Sequence, residues 1–348
     1  MPKRNFFIKD SELDSYQIQI INSTASDLLV QGCAGSGKSI LALWKAKQIQ
    51  NEKKGSFLFV VKMNSLKQFM HDGISQVGID STNVESFNKC FSWTKPDGKW
   101  VRGPWKKGTY DYILVDEAQD LPIEDILFLK SKAKHIFYYG DSAQQLMEFS
   151  GNTPASMSEI IFKTKLHNEN LVFNYRLPKQ IARVAVFLNS EGDDIVQRCK
   201  NEGTEQPYIF NKGSFEQQLD FIQTTIKNRD FKDVGILFRT RKEVESAREY
   251  YRQKQFNVEA KIDENASELN FNSDNPKLMT YHSSKGLQFE AVFLPNCESD
   301  DGSKIPLYVA MTRTYQSLYI LHSGNLSSFF DDVPTNLYKT SLSQTEEL

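Results

Sequence analysis

The eight residues from Gly32 to Ser39, GCAGSGKS, have the types and the spacing that binding of a phosphate chain requires. They follow the apolar run 28–30 and precede a helical pattern of apolar residues. Glycines let the backbone turn tightly and point its N–H groups at a phosphate, and the start of the next helix adds positive charge. A lysine can reach the outer phosphates, and a serine hydroxyl can bind magnesium. The stretch therefore predicts a nucleoside triphosphate site formed by Gly32, Cys33, Ala34, Gly35, Ser36, Gly37, Lys38 and Ser39.

Two adjacent carboxylates, Asp116 and Glu117, directly follow the apolar run 112–115. Parallel strands bring their carboxyl ends to one edge of a sheet, so these acids should lie near the phosphate-binding loop. Asp116 can hold a magnesium ion, and Glu117 can orient and deprotonate an attacking water. With the loop upstream, the pair predicts nucleotide hydrolysis rather than two solvated surface acids.

Two glutamines are candidates for the same site. Gln144 follows the apolar run 135–139 and therefore lies at the carboxyl end of another predicted strand. Gln17 lies on a predicted helix, 13–23, shortly before the phosphate-binding loop. Its amide could pair with an adenine edge, since it offers both a donor and an acceptor. A solvated glutamine on a surface helix is the simpler interpretation of Gln17 from the residues alone.

The segment 91–110 differs from the rest of the chain in composition. It holds Trp93, Trp100 and Trp105 together with five lysines or arginines and one acid, and its Asp97-Gly98 pair is typical of a hairpin turn. Bases could stack on these rings while the cations contact phosphates. Alternatively, the segment is a β-hairpin whose aromatic side chains pack onto its domain. The two interpretations are compatible.

Apolar runs of strand length alternate with helical patterns along both halves of the chain. Strands are further predicted at 57–61, 84–87, 208–210, 234–238, 278–281, 291–294 and 317–321. This alternation predicts an α/β fold with a mainly parallel sheet flanked by helices in each of two domains. We place the N-terminal domain at residues 1–166, the C-terminal domain at 167–323 and a polar, partly disordered tail at 324–348.

The composition is that of a globular protein of 348 residues, with 39% hydrophobic residues, 25% charged residues and a formal net charge of −2. A nucleic-acid binder with this charge would need a local basic groove. The four cysteines lack C-x-x-C spacing, which indicates a reducing compartment. The absence of a membrane-length apolar run and of a signal-peptide pattern predicts a cytoplasmic protein without a membrane partner.

Motifs in the second half of the chain extend the series begun by the phosphate-binding loop. Together they resemble the motifs of superfamily 1 helicases, in particular the UvrD/Rep/PcrA group. In chain order they are Gln17, GCAGSGKS, DEAQD at 116–120, GDSAQ at 140–144, NYR at 174–176, TYHSSKGLQFE at 280–290 and YVAMTR at 308–313. The resemblance is specific because the motifs occur in the family's order across nearly the whole chain.

This resemblance implies two RecA-like domains in tandem that hydrolyse ATP with Mg²⁺ in the cleft between them. Hydrolysis would drive movement on, or unwinding of, nucleic acid, with single-stranded DNA as the favoured partner. Gln17 and Tyr175 would contact the adenine, and Gln144 would sense the γ-phosphate. Arg176 and Arg313 would reach that phosphate from the second domain as arginine fingers.

The resemblance also assigns residues outside the central site. Gly286 and Gln288 would lie near the nucleotide, although the family usually has Glu at the second position. His282 would contact the nucleic acid or the coupling network, whereas a hydrogen-bonded histidine at a strand end is the simpler alternative. The candidate nucleic-acid contacts are Asn64, Phe87, Trp93, Trp100, Phe149 and His282.

The chain departs from the family in two respects. The intervals from Lys38 to Asp116 and from Arg176 to Lys285 are too short for the large inserted subdomains of UvrD-like enzymes. After Gln144, where the family has aromatic and basic residues, this chain has Glu148, which would repel phosphate. These departures support a second hypothesis, an ATP-controlled switch subunit that regulates a partner nuclease or effector, for example in a defence system.

Overall fold

The structure, a computed structural model, describes residues 13–33, 35–62, 74, 78–141, 154–189, 195–262, 269–271, 273–300 and 302–341. The chain forms two compact units, of which the first ends at Val172 and the second begins at Phe173. Each unit has its own six-stranded sheet. The predicted α/β class with two mainly parallel sheets, as expected of tandem RecA-like domains, is confirmed.

The first unit is built around a parallel sheet with the strand order β3-β2-β6-β7-β1-β8. In chain order, its elements are α1 (Ser15–Ile21), β1 (Leu28–Gly32), α2 (Lys38–Asn51), β2 (Phe57–Val61), β3 (Val84–Ser86), β4 (Phe91–Thr94), β5 (Val101–Trp105), β6 (Tyr110–Val115), α3 (Ile123–Ser131), β7 (Ala133–Gly140), α4 (Met157–Thr164) and β8 (His167–Leu171). Leu28 and Val30 pack into the core on one sheet face, and Leu29 into the core on the other. The central strands are therefore continuous apolar runs, because both faces of the sheet are buried.

The second unit has the same kind of sheet, with the strand order β11-β16-β15-β12-β14-β13, and a separate pair, β9 with β10. In chain order, its elements are β9 (Asn174–Pro178), α5 (Lys179–Ala185), α6 (Ile195–Arg198), β10 (Cys199–Asn201), β11 (Tyr208–Asn211), α7 (Phe215–Arg229), β12 (Val234–Phe238), α8 (Arg241–Gln253), β13 (Glu259–Ala260), β14 (Lys277–Thr280), β15 (Phe289–Leu294), α9 (Ile305–Met311) and β16 (Thr314–His322). All neighbouring strands of the large sheet pair in parallel.

Several helices begin at capping boxes that the sequence specifies locally. Asp14 caps α1, Ser214 caps α7 and Thr240 caps α8. In each case the side chain accepts a hydrogen bond from the third helical residue, whose own side chain accepts one from the capping residue's N–H. Such reciprocal bonds satisfy N–H groups that the first helical turn leaves open.

The segment 91–105 forms the predicted hairpin. β4 and β5 are antiparallel, with Trp93 opposite Arg102 and Thr94 opposite Val101. Asp97 and Gly98 take positive φ angles of 51° and 77° at the turn. Aspartate and glycine tolerate this conformation, which suits the twist of a tight hairpin.

Two predicted boundaries need correction. The boundary after Leu166 lies one strand too early, because β8 pairs with β1 in the first sheet and the units divide after Val172. In the predicted tail, residues 324–341 pack against the second unit. Phe329, Phe330 and Val333 are buried, and the Lys339 N–H donates to the Pro207 carbonyl at 2.9 Å.

In the described ranges, none of the helices combines the length and the apolar character that crossing a membrane requires.

Candidate functional site

The strand order of the first sheet determines where the candidate site lies. β6, β7 and β1 are neighbours, and each ends at the same edge of the parallel sheet. This edge receives the phosphate-binding loop from β1, Asp116 from β6 and Asp141 from β7. Carboxyl ends of parallel strands are where α/β proteins bind ligands.

The phosphate-binding loop passes into α2 through Gly37, whose φ is 93°. Residues with a side chain rarely adopt this angle, and glycine adopts it without steric penalty. A Cβ atom at Gly37 would also lie 2.9 Å from Nε2 of Gln17. The glycine is therefore needed both for the turn and for the close approach of Gln17.

Lys38 begins α2 and turns its side chain back over the loop. Its Nζ donates to the carbonyl oxygens of Gly32 at 2.7 Å and Cys33 at 3.0 Å. The same ammonium lies 3.5 Å from Oδ2 of Asp141, and both side chains of this ion pair are buried. An ammonium group has three hydrogens, so these three acceptors match its capacity.

Ser39 and Asp116 are brought together from α2 and the end of β6. The Ser39 hydroxyl donates to Oδ2 of Asp116 at 2.6 Å. Burial and the neighbouring Glu117 carboxylate raise the pKa of Asp116, while Ser39 and Lys38 act in the opposite direction. A cation bound at these two oxygens would offset the cost of the buried charge.

Glu117 follows Asp116 in a left-handed conformation with φ 54° and ψ 45°. This conformation costs a non-glycine residue roughly 1 kcal/mol or more, and such costs concentrate at functional sites. The Glu117 N–H donates to Oδ1 of Asp116 at 3.1 Å, and Nε2 of Gln119 donates to Oε2 of Glu117 at 2.5 Å. The two predicted carboxylates thus lie side by side with different partners.

Gln17 is buried between the N-terminus of α1 and the phosphate-binding loop. Its Nε2 donates to the Ser36 carbonyl at 3.1 Å, and its Oε1 accepts from the Asp14 N–H at 3.1 Å. The simpler interpretation, a solvated glutamine on a surface helix, is therefore wrong. The amide retains one N–H and one lone pair, so it can still contact a base.

The helix that carries Gln17 is held at its other end by a buried lysine on α2. Lys45 donates to the carbonyl oxygens of Ile21 at 2.8 Å and Ser23 at 2.9 Å. Burial lowers the pKa of Lys45 to about 8. These bonds fix α1 against the helix that follows the phosphate-binding loop.

The residues present fit ATP and Mg²⁺. The Ser36 hydroxyl is buried in the loop without a hydrogen-bond partner in the described part of the chain. Ser39 and Asp116 offer oxygen donors, which Mg²⁺ prefers. Across the residues that the structure describes, no group of three or more His, Cys, Asp or Glu could hold a metal. A cation at Ser39 and Asp116 would therefore share its coordination with phosphate oxygens, as in other P-loop sites.

In the second unit, Asn174 begins strand β9, which carries Tyr175 and Arg176. Its buried Oδ1 accepts from the N–H groups of Arg176 and Leu177, both at 2.9 Å. The Arg176 side chain is buried, and the Tyr175 ring is half-buried with its edge toward Phe173, 6.4 Å away between centroids. Their roles toward the nucleotide stay predictions.

Arg313 lies just beyond the C-terminus of α9 and is 1% exposed. Its Nε donates to the Val309 carbonyl at 2.8 Å, and its NH2 group donates to the Thr312 hydroxyl at 3.0 Å. A cation at this helix end is favourable because it meets the negative end of the helix dipole. The geometry gives Arg313 a structural role, and its role as an arginine finger stays a prediction.

The motif at 280–290 forms a compact turn between β14 and β15. His282 begins a 3-10 turn and is half-buried, Gly286 has a φ of 78°, and Gln288 is half-buried just before β15. Thr280 accepts from the Ser283 N–H at 3.1 Å, which stabilises the turn. The predicted contact of His282 with nucleic acid or the coupling network stays a prediction.

The candidate nucleic-acid residues differ in accessibility. Trp100 is 64% exposed and Trp93 40% exposed on the hairpin, whereas Phe87 is 2% exposed. Phe87 packs edge-on against Phe91 in the core, with 5.2 Å between ring centroids. The prediction that Phe87 contacts bases is therefore wrong for this conformation, because its faces are covered. Ala34, Asn64, Gln144 and Phe149 lie outside the described residues.

Both interpretations of the hairpin apply, but to different tryptophans. Trp105 packs against Phe91 and Phe128 at centroid distances of 5.2 and 5.5 Å and anchors the hairpin. Arg102 also anchors it, through an ion pair of 2.7 Å with Asp125 on α3. Trp93 and Trp100 remain accessible.

Gln119 and Asp141 are site residues whose roles were not predicted from the sequence. Both occur within the motifs quoted above, DEAQD and GDSAQ, which is the one signal that could have indicated them. Their position in the site depends on the pairing of β6 with β7.

Comparisons with known proteins match parts of both units to helicase and restriction-enzyme families. Residues 277–321 match the family described as UvrD-like helicase C-terminal domain. The resemblance to UvrD-like helicases is confirmed. Residues 10–99, which include the phosphate-binding loop, match a second family, described as Type III restriction enzyme, res subunit. The UvrD-like match covers the β14–β16 part of the second unit.

Two curated relatives are named Probable DNA helicase II homolog. One, from Mycoplasma pneumoniae, is 30% identical over 44% of this chain and 24% of its own length. The other, from Mycoplasma genitalium, is 27% identical over 39% of this chain and 22% of its own length. The matches thus span about a quarter of those relatives. Among solved structures, the Arterivirus nonstructural protein 10 helicase is 16% identical with a TM-score of 0.48, covering 93% of this chain and 64% of that one.

Proposed function

We propose that this chain is an ATPase of the UvrD-like helicase type that couples ATP hydrolysis to movement on single-stranded nucleic acid. DNA is favoured over RNA, because the curated relatives are named DNA helicase II homologues. The observation that carries the proposal is the convergence of Lys38, Ser39, Asp116 and Glu117 at one sheet edge. These are the groups that phosphoryl transfer to water requires.

Each residue has a distinct role in the proposal. Lys38 and the loop N–H groups bind the phosphates, and Glu117 accepts a proton from the attacking water. Ser39 and Asp116 would hold Mg²⁺, which would supply positive charge to the phosphate oxygens when bound. Arg176 and Arg313, which belong to the second unit, would add positive charge at the transferring phosphate as arginine fingers.

The hairpin is the proposed contact for nucleic acid. Its exposed rings, Trp93 and Trp100, provide faces on which bases can stack. Lys95 lies over the Trp100 ring with 5.4 Å between Nζ and the ring centroid, and Lys99 and Lys106 are exposed nearby. These cations would neutralise phosphates although the whole chain has a net charge of −2.

The first prediction concerns the wild-type chain. ATP turnover should rise at least about tenfold with single-stranded DNA at low salt, and the stimulation should weaken as salt displaces the phosphate contacts. The measurement is steady-state ATPase activity with a panel of single- and double-stranded DNA and RNA. An ATPase that no nucleic acid stimulates at low salt would contradict the proposal.

The second prediction concerns the hairpin. Trp100→Ala should weaken single-stranded DNA binding about 5- to 150-fold, because a stacked base contributes on the order of 1–3 kcal/mol. Turnover without DNA should stay at the wild-type level. Binding is measured by fluorescence anisotropy of a labelled oligonucleotide.

The matched control for the hairpin is Trp44→Ala. Trp44 lies on α2 of the same unit and also has a lysine over its ring, Lys47 at 4.5 Å. Equal losses of affinity for both variants would show that the hairpin is not the contact.

An ATP-controlled switch that regulates a protein partner is the second candidate. It is favoured by two exposed apolar side chains on neighbouring helices, Leu127 on α3 and Phe162 on α4. The helices are linked by the Lys130 Nζ bond to the Thr164 carbonyl, 2.9 Å. A stable complex with a copurifying protein, together with no DNA stimulation, would favour this function over the first.

A further inference from the structure

Gln119 connects the Glu117 carboxylate to the end of the neighbouring strand. Its Nε2 donates to Oε2 of Glu117 at 2.5 Å, and its Oε1 accepts from the Asp141 N–H at 2.9 Å. The orientation of the amide is fixed by its partners, because a carboxylate only accepts and a backbone N–H only donates. The side chain is 0% exposed, so neither bond competes with bulk water.

The position of Gln119 depends on Gly140, the last residue of β7. A Cβ atom at Gly140 would lie 2.9 Å from Oε1 of Gln119 and 2.6 Å from Sδ of Met157. A side chain here would push the amide away from the Asp141 N–H. Gly140 thus leaves the space that the Gln119 side chain occupies between Glu117 and Asp141.

The chain of contacts from Glu117 through Gln119 to Asp141 continues to Lys38. Asp141, whose N–H binds Gln119, pairs through its carboxylate with Lys38 at 3.5 Å. Lys38 is followed by Ser39, which binds Asp116 at 2.6 Å, and Asp116 accepts from the Glu117 N–H. Hydrogen bonds, one ion pair and covalent backbone links therefore connect six residues in a closed ring: Gln119, Asp141, Lys38, Ser39, Asp116 and Glu117.

We propose that Gln119 is a positioning residue that holds the Glu117 carboxylate for hydrolysis and, through Asp141, links its position to Lys38. This inference rests on the proposed ATPase function. A phosphate that binds Lys38 must displace an acceptor from the fully used ammonium, and the longest contact is the one to Asp141. Phosphate binding would then break the ion pair between Lys38 and Asp141, and the change would reach Glu117 through Gln119.

The experiment compares Gln119→Leu with the wild type. Leucine has a similar volume but forms neither bond, so Glu117 loses the hydrogen bond from Gln119. Turnover should fall about 10- to 100-fold, the scale of a displaced general base, while ATP affinity stays within about threefold. Gln119→Glu should reduce turnover further, since it places a second carboxylate beside Glu117. Steady-state kinetics give turnover, and a fluorescent ATP analogue gives affinity.

Gln218→Leu is the matched control. Gln218 is also 0% exposed, and its amide also connects two other residues. Its Nε2 donates to the Ser323 hydroxyl and its Oε1 accepts from the Asn296 N–H, both at 2.9 Å. It lies in the second unit, on α7. This variant should melt at a lower temperature but keep wild-type turnover below that temperature. The same behaviour in Gln119→Leu would overturn the positioning role.

A double variant tests whether Gln119 acts through Glu117. In the Glu117→Gln background, Gln119→Leu should lower residual turnover by less than about twofold, because the carboxylate that it positions is gone. If the two substitutions instead reduce turnover independently, so that their fold-reductions multiply in the double variant, the inference is wrong.

The two proposals can fail separately. Turnover is measured without nucleic acid, so a wild type that nucleic acid does not stimulate contradicts the proposed function and leaves the Gln119 comparison valid. Wild-type turnover in Gln119→Leu contradicts the positioning role alone. A wild type that hydrolyses no ATP under any condition overturns both.

Discussion

Glu117→Gln is expected to reduce ATP turnover by about 10²- to 10⁴-fold, the contribution of a general base, while ATP still binds. Glutamine has nearly the shape of glutamate, but its amide cannot take a proton from water. The phosphate contacts through Lys38 and the loop are unchanged by the substitution. The measurement pairs single-turnover hydrolysis with equilibrium binding of ATP.

Glu85→Gln is the control for the loss of a carboxylate from the first unit. Glu85 lies on β3, two strands from β6, and its Oε2 is 4.0 Å from Nζ of Lys107. Its neutralisation should leave turnover within about twofold, because surface ion pairs contribute little. Normal turnover in Glu117→Gln would remove the base from the proposed mechanism, and equal losses in both variants would indicate a general charge effect.

The sequence was sufficient to predict those parts of the site that are contiguous in the chain. The phosphate-binding loop and Asp116-Glu117 each follow a buried strand directly, so their place at the sheet edge follows from the parallel fold class. The strands 57–61 and 234–238 were predicted with the bounds that the structure has. Buried parallel strands are continuous apolar runs, which makes them easy to find.

Other features depended on contacts that no local pattern shows. Strand β8, HNENL, is polar because it lies at the sheet edge and is largely accessible, so it lacks the apolar run of a central strand. Gln119 and Asp141 are far apart in sequence and meet only because β6 pairs with β7. The burial of Phe87 likewise depends on Phe91 and the folded hairpin.

Arg313→Lys is expected to slow turnover about 10³-fold with little change in ATP affinity, if Arg313 acts as an arginine finger. The structure provides a competing explanation, because the guanidinium binds the Val309 carbonyl and the Thr312 hydroxyl at the end of α9. Lysine keeps the positive charge near that helix end but lacks the planar fork of donors. Turnover and ATP binding are measured alongside the melting temperature, which should fall only slightly.

Arg229→Lys separates the two explanations. Arg229 lies in the same unit and is held by Glu205 at 3.0 Å and the Tyr319 hydroxyl at 3.2 Å, away from the motifs. Its replacement should lower the melting temperature without affecting turnover below it. If Arg313→Lys behaves in the same way, Arg313 is a helix cap and Arg176 is the remaining candidate cation. A loss of turnover in Arg313→Lys alone would instead support the arginine-finger role, because the guanidinium has five N–H donors and the two bonds at the helix end use only two of them.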